Sequence, residues 1–172
     1  MRLLGAVLAG GQSRRFGSDK AQALLGGTTL LDHAVAALNP QCDRIVIVGR
    51  ENGRVAAIPD RPQPGLGPLG GIAGALSYAA NEGFDAVLTV PVDCLRLPAN
   101  LRDLLAPPPA FVAAQPVIGL WPVQALTLLD ALLSEEDDRS VRSFARRIGA
   151  RAVESDVELP NINRPPDLDR FA

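Results

Sequence analysis

The residues best suited to chemistry begin at positions 8–20, LAGGQSRRFGSDK. Gly10 and Gly11 carry no Cβ, so their backbone amides are able to approach an anion closely. Consecutive amides in such a turn form an anion nest. Arg14, Arg15 and Lys20, set against Asp19, give the segment a surplus of positive charge. Lys20 is the only lysine in a chain with sixteen arginines. A lysine is a compact point charge, whereas arginine is a planar fork. The pattern predicts a polyphosphate cradle. It is neither G-x-x-x-x-G-K-[ST] nor G-x-G-x-x-G, because Asp19 precedes Lys20 and Ala21 follows it, which weakens P-loop and dinucleotide-binding readings.

Carboxylates and amides complete the set. Asp93 follows an apolar run and a proline, and a carboxylate at a strand's end suits Mg²⁺, which takes few protein carboxylates and shares its shell with phosphate and water. Its alternative is a turn cap or an ion pair. Asp60 stands in PDRPQPGLGPLGG, and a carboxylate accepts the two donors of a guanine edge. In the same loop, Gly67 to Gly71 would pass backbone against a flat base or simply start a helix. Asn161-Ile162-Asn163 places two amides on one side if extended, for a metal or nucleotide or for turn chemistry before Pro165. His33, Cys94 and Trp121 read as structural, and Glu135 to Asp138 as a solvated turn.

The elements that must position these residues follow from periodicity. Leu3 to Leu8, Arg44 to Val48 and Ala86 to Val90 are short apolar runs that predict buried strands. Further strands are expected at 56–58, 110–114, 117–120 and 152–153. Helices are expected over Thr28 to Leu38, Leu69 to Ala80, Pro98 to Leu105, Pro122 to Leu133, Ser140 to Ile148 and Pro165 to Phe171, with a short one within 51–57. The loop at 59–71 is too long for an ordinary connector, which suggests function. Strands alternating with helices predict a single three-layer α/β/α Rossmann-like domain over 1–172, with a mainly parallel, mixed sheet. Ligands collect at the carboxyl ends of such strands, so the first loop and Asp93 are expected to share a cleft.

At 172 residues and net charge −2 the chain suits one core and lacks the basic surplus of a nucleic-acid surface. Cys42 and Cys94 form no metal or disulfide framework. No signal peptide or membrane span is read, so a cytoplasmic location is expected.

Together the residues resemble a known family. Leu8-Ala-Gly-Gly-x-Ser-x-Arg-x-Gly-x-Asp-Lys20 resembles the signature of nucleotidyltransferases with a glycosyltransferase-A-like fold. Asp60 with Gly67-Pro-Leu-x-Gly71, Pro91-x-Asp93, Gln115-Pro116 leading into Gly119-Leu-Trp-Pro-Val123, and Asn161-Ile-Asn163 resemble its molybdenum cofactor guanylyltransferases, the MobA family. The resemblance spans nearly the whole chain. It implies transfer of GMP from GTP to the phosphate of molybdenum-loaded molybdopterin, with pyrophosphate leaving and Mg²⁺ required. It implies Leu8, Ala9 and Gly10 around the nucleotide and Lys20 on the phosphates; the loop chemistry adds Gly11, Gly67 and Gly71 to the expected nucleotide site and Arg14 or Arg15 to the phosphates. It further implies Asp60 on the nucleoside, Asp93 on the metal, and Asn161 and Asn163 toward the pterin or metal. Molybdoenzymes or their chaperones are candidate recipients.

One departure is visible: Val48-Gly49-Arg50 stands where such enzymes often carry an asparagine after the second strand. A cytidylyltransferase or sugar-phosphate enzyme of the same fold therefore stays open, as does a non-catalytic GTP- or pterin-binding carrier.

Overall fold

The computed structural model describes residues 1–11, 19–51 and 53–172. Its strands are β1 (Leu3–Leu8), β2 (Leu24–Leu25), β3 (Thr28–Thr29), β4 (Arg44–Val48), β5 (Ala56–Ile58), β6 (Ala86–Pro91), β7 (Ala110–Val112), β8 (Gln115–Pro122) and β9 (Arg151–Val153). Its α-helices are α1 (Leu30–Leu38), α2 (Pro68–Asn81), α3 (Leu101–Leu105), α4 (Leu126–Ser134) and α5 (Val141–Arg147). The main sheet has the order β5-β4-β1-β6-β8-β7-β9. β1 runs parallel to β4 and β6, β4 to β5 and β7 to β9, while β8 runs against both of its neighbours. The sheet is thus mainly parallel and mixed, as the alternation of elements predicts.

The sheet is buried on both faces, which is why its central strands read as continuous apolar runs. In β1, Leu4 and Ala6 join α2, α4 and α5 on one side. Leu3 and Val7 join α1 and α3 on the other. Each fully buried leucine contributes about 1.5–3 kcal/mol. On the first face Trp121 packs against Phe144 in a tilted pair, with ring centroids 5.2 Å apart, and its indole Nε1 donates to Thr89 Oγ1 at 2.9 Å. That satisfies the one polar atom of a buried indole and accounts for Trp121 as core.

The chain order reverses around β1. It goes out through α1 to β4 and β5, then returns through α2 to β6 on the opposite side of β1. Such a reversal leaves a crevice at the carboxyl ends of the two strands. The register ends with Leu8 beside Pro91, and Val92 N donates to Leu8 O at 3.2 Å. The segments leaving β1 and β6 therefore start side by side.

Some expectations shift. The run 51–57 gives no helix among its described residues, because Gly53 takes φ +75° and the chain extends into β5. The helix expected from Pro98 begins at Leu101, with Asn100 before it outside the helical region. The last helix is a 3₁₀ segment, Pro165–Arg170. An unforeseen hairpin, β2 with β3, turns at Gly26 and Gly27, both at positive φ, as a two-residue hairpin turn requires. Thr29 ends that hairpin and caps α1, accepting from Asp32 N at 3.1 Å.

Candidate active site

Lys20 opens a 3₁₀ turn, Lys20–Gln22, pinned by the buried Ala21. Its Nζ lies 3.3 Å from Asp93 Oδ2, with side-chain exposures of 15% and 22%. Asp93 sits just past the end of β6. The two residues are remote in sequence, and the β1–β6 pairing brings them together.

Asp60 approaches from the other side, just beyond β5. α2 packs directly on the chain leading to it: a Cβ on Gly74 would lie 2.3 Å from Pro59 O, so only glycine fits. Arg61 N donates to Gly70 O at 2.9 Å, tying the far side of Asp60 to the same helix. A Cβ on Gly10 would lie 3.0 Å from Gly49 Cα and 3.6 Å from Asp60 Oδ1. The ends of β1, β4 and β5 thus converge on one point. Burial pushes the Asp60 carboxyl above its ordinary value. A carboxylate held at that cost is poised to accept donors from a ligand.

The late amides are tied to Asp93 by backbone. Asn161 forms an isolated bridge with Cys94, and Ile162 N donates to Asp93 O at 2.9 Å. Ile162 is buried and anchors this return. Asn161 Oδ1 accepts from Gln115 Nε2 at 2.9 Å. Asn163 is exposed, and its backbone N–H donates to Asp167 Oδ2. The structure therefore sets Asn161 beside the Asp93 segment and Asn163 farther along an exposed turn.

Leu8, Ala9, Gly10 and Gly11 lead out of β1 toward this crevice, and a Cβ on Gly11 would meet none of the described residues within 4 Å. Gly67 caps α2 at φ +67°. Gly71 is buried, and a Cβ there would meet Leu8 Cδ2 at 3.2 Å. It packs α2 on the sheet beneath the crevice. Arg14 and Arg15 lie outside the described residues.

Cys94 has its thiol pushed up to about 12 by burial and by the Asp93 charge. It is no nucleophile at neutral pH. His33 Nε2 pairs with Leu25 O at 2.8 Å, joining α1 to the hairpin. Both fit the structural reading.

Gln115 carries a site contact that the sequence does not announce, while Arg50, a candidate substitute for the missing asparagine, has a different partner. Gln115 opens β8, and the antiparallel register through Thr89–Gly119 carries that strand's start to the Asp93 end of β6. Its signal was the Gln-Pro pair. Arg50, at the departure from the usual asparagine, makes a two-pronged ion pair with Asp19. Hydrogen bonding by Arg50 holds the Asp19 carboxyl below its ordinary value.

A divalent ion can be tested against this donor set. Among the described residues no three His, Cys, Asp or Glu side chains gather as a metal cluster. Among the described residues Asp93 is the carboxylate that stands just past the end of β6, against Lys20. That suits Mg²⁺, which binds through one or two carboxylates plus substrate phosphates and water, and does not suit an all-protein cage.

An α/β sheet with glycines, a lysine and a carboxylate at its reversal point has the setting of a nucleotide site. The family model for the MobA-like NTP transferase domain matches residues 5–152. The chain belongs to that family. A molybdenum cofactor guanylyltransferase of Rhizobium johnstonii is 36% identical, with 96% of this chain and 90% of that protein covered. One from Cereibacter sphaeroides is 38% identical, covering 99% and 95%. Among solved structures, molybdopterin-guanine dinucleotide biosynthesis protein A of Archaeoglobus fulgidus matches with TM-score 0.76 at 21% identity over 98% and 96% of the two chains. A Thermus thermophilus 2-C-methyl-D-erythritol 4-phosphate cytidylyltransferase matches with TM-score 0.60 at 16% identity, over 96% and 95%. The fold is thus shared across nucleotide specificities. Family membership carries a divalent-metal requirement with it.

Proposed function

We propose that this chain transfers GMP from GTP to the phosphate of molybdenum-loaded molybdopterin, releasing pyrophosphate. The observation that carries the reading is the Lys20–Asp93 pair at the β1–β6 crevice, with the Asp60 carboxylate beside Gly10. The full-length likeness to guanylyltransferases supports the choice of nucleotide and acceptor. One nucleotidyltransferase domain over residues 1–172 is the corresponding organisation. A cytoplasmic location agrees with the finding that no described helix is long and apolar enough to cross a membrane.

In this mechanism an ionised phosphate oxygen of the acceptor attacks the α-phosphorus of GTP. The bond from that phosphorus to the bridging oxygen breaks, and the electron pair leaves with pyrophosphate. The attacking oxygen already lacks its proton at neutral pH, so no strong general base is needed. Gly10 and Gly11 present backbone amides to the triphosphate. Lys20 meets the departing phosphates as a point charge, joined by Arg14 or Arg15. Asp60 accepts the donors of the guanine edge. Asn161, held by Gln115, faces the acceptor or the metal beside Asp93, and Asn163 extends that edge. Asp93 would hold Mg²⁺, which when bound supplies Lewis-acid stabilisation of the phosphoryl oxygens. The protein's own contribution is preorganised charge, which commonly outweighs every other source of rate enhancement in such sites.

The test is pyrophosphate release with GTP, CTP and ATP against molybdenum-loaded molybdopterin. Release with GTP is expected. Preference for CTP would move the chain to the cytidylyl branch, and GTP binding without release would make it a carrier.

A further inference from the structure

Arg50 replaces the polar residue that such enzymes often place after the second strand, yet its guanidinium goes to Asp19. Both nitrogens of the fork engage both oxygens of that carboxylate. The remaining guanidinium nitrogen, Nε, is buried and has no hydrogen-bond partner among the described residues. An orphaned buried donor is a cost, and the other two nitrogens of the fork both go to Asp19. Arg50 also follows Gly49, whose φ of +87° brings its backbone against Gly10. A Cβ on Gly49 would lie 2.5 Å from Gly10 Cα. Two adjacent residues at the end of β4 therefore hold two points of the phosphate-binding segment: Gly49 holds Gly10, and Arg50 holds Asp19. Lys20 comes directly after Asp19, and its ammonium reaches Asp93.

We infer that Arg50 is a positioning residue: through Asp19 it fixes the Lys20 turn, so that the ammonium stands at Asp93 where the leaving phosphates arrive. Its role is phosphate geometry and not selection of the base. The geometric part stands on the ion pairs alone; the part about leaving phosphates rests on the proposed function.

Lys20 being the only lysine, its placement is readable without turnover. An amine-reactive acylating reagent at limiting dose, followed by peptide mass spectrometry, gives the labelling rate of Lys20 relative to the Met1 amine. With Arg50→Gln or Asp19→Asn, the relative rate should rise at least threefold, and the double variant should rise no further, as expected for two residues that act as one pair. Arg50→Lys, which cannot pair through a fork, should fall between. In the pyrophosphate-release assay the same single variants should lower kcat for GTP about tenfold or more and leave KM for molybdopterin within twofold. Thermal melts show that each variant is folded when assayed. Unchanged labelling in Asp19→Asn, or labelling effects that add in the double variant, would overturn the inference. A raised KM for GTP in Arg50→Gln alone, with Asp19→Asn kinetically normal, would overturn it in favour of direct nucleotide contact. If the wild-type protein releases no pyrophosphate, the proposed function fails while the labelling result still decides the role of the Arg50–Asp19 pair.

Discussion

Gly49→Ala should damage both the fold and the site, and the structure gives the size of the damage. Gly49 sits at φ +87°, where a Cβ costs about 1–2 kcal/mol. The new methyl would also lie 2.5 Å from Gly10 Cα and 2.8 Å from Gly10 N, against backbone with no flexible tip to yield. Overpacking of that kind adds about 1–3 kcal/mol. Gly149→Ala separates the two effects, because Gly149 has φ +68° and nothing within 4 Å of the added Cβ. Gly149→Ala should therefore cost about 1–2 kcal/mol and Gly49→Ala about 2–5 kcal/mol. For a chain of this size each kcal/mol lowers Tm by about 2–4 °C. Urea denaturation of both variants measures the difference. Since the clash falls on Gly10, kcat/KM for GTP should also fall more than tenfold in Gly49→Ala and stay near wild type in Gly149→Ala. Equal stability losses in the two variants would refute the close approach of β4 to the phosphate segment, and with it the placement of Gly10.

Other perturbations read other parts of the site. Asp93→Ala should reduce pyrophosphate release to background with little change in Tm, its pair with Lys20 being partly solvated; turnover surviving at saturating Mg²⁺ would remove Asp93 from the metal role. Lys20→Arg should lower kcat by about 10²–10³, the loss typical of a displaced electrostatic donor; near-normal kinetics would show that any cation suffices. Burial raises the Asp60 carboxyl above its ordinary 3.8, so the folded chain holds that proton more readily than the unfolded one. Its contribution to stability is greatest below 3.8 and is lost as pH rises through the raised value. Asp60→Asn should therefore be more stable than wild type at pH 7, with an advantage that shrinks toward pH 3.8, and should raise KM for GTP. A constant stability difference across that range would contradict the burial effect.

What the sequence reveals depends on how local the cause is. β1, β4 and β6 are legible because burial on both faces leaves unbroken apolar runs. The full length of β8 is not, because Pro116 and Gly119 interrupt the pattern inside a strand whose hydrogen bonds come from β6 and β7. The helix expected within 51–57 fails at Gly53, whose positive φ spacing alone does not disclose. Lys20 and Asp93 each carry a local signal, and the general rule for open α/β sheets suffices to put them in one cleft. The Asp19–Arg50 pair is different. Nothing in either neighbourhood points to the other, since the contact depends on how β4 emerges beside β1. The Gln115–Asn161 contact likewise needs the reversed direction of β8.

The pairing of charges bears on how the substrate enters. At the crevice Lys20 is matched by Asp93, and Arg50 by Asp19. Among the described residues these pairs hold the ammonium and the guanidinium close to neutral before a polyanion arrives. A triphosphate that draws Lys20 toward its oxygens leaves the Asp93 carboxylate short of a counter-charge. In the proposed reaction a divalent cation accompanying the nucleotide would supply that charge, and Asp93 would be the carboxylate to receive it. The single-carboxylate site is then consistent with metal entering bound to the nucleotide, because one partly buried carboxylate already paired to an ammonium offers a free metal ion little. On the inference drawn for Arg50, the Asp19–Arg50 pair would play the opposite part, staying paired so that Lys20 could shift partners while its turn kept its place.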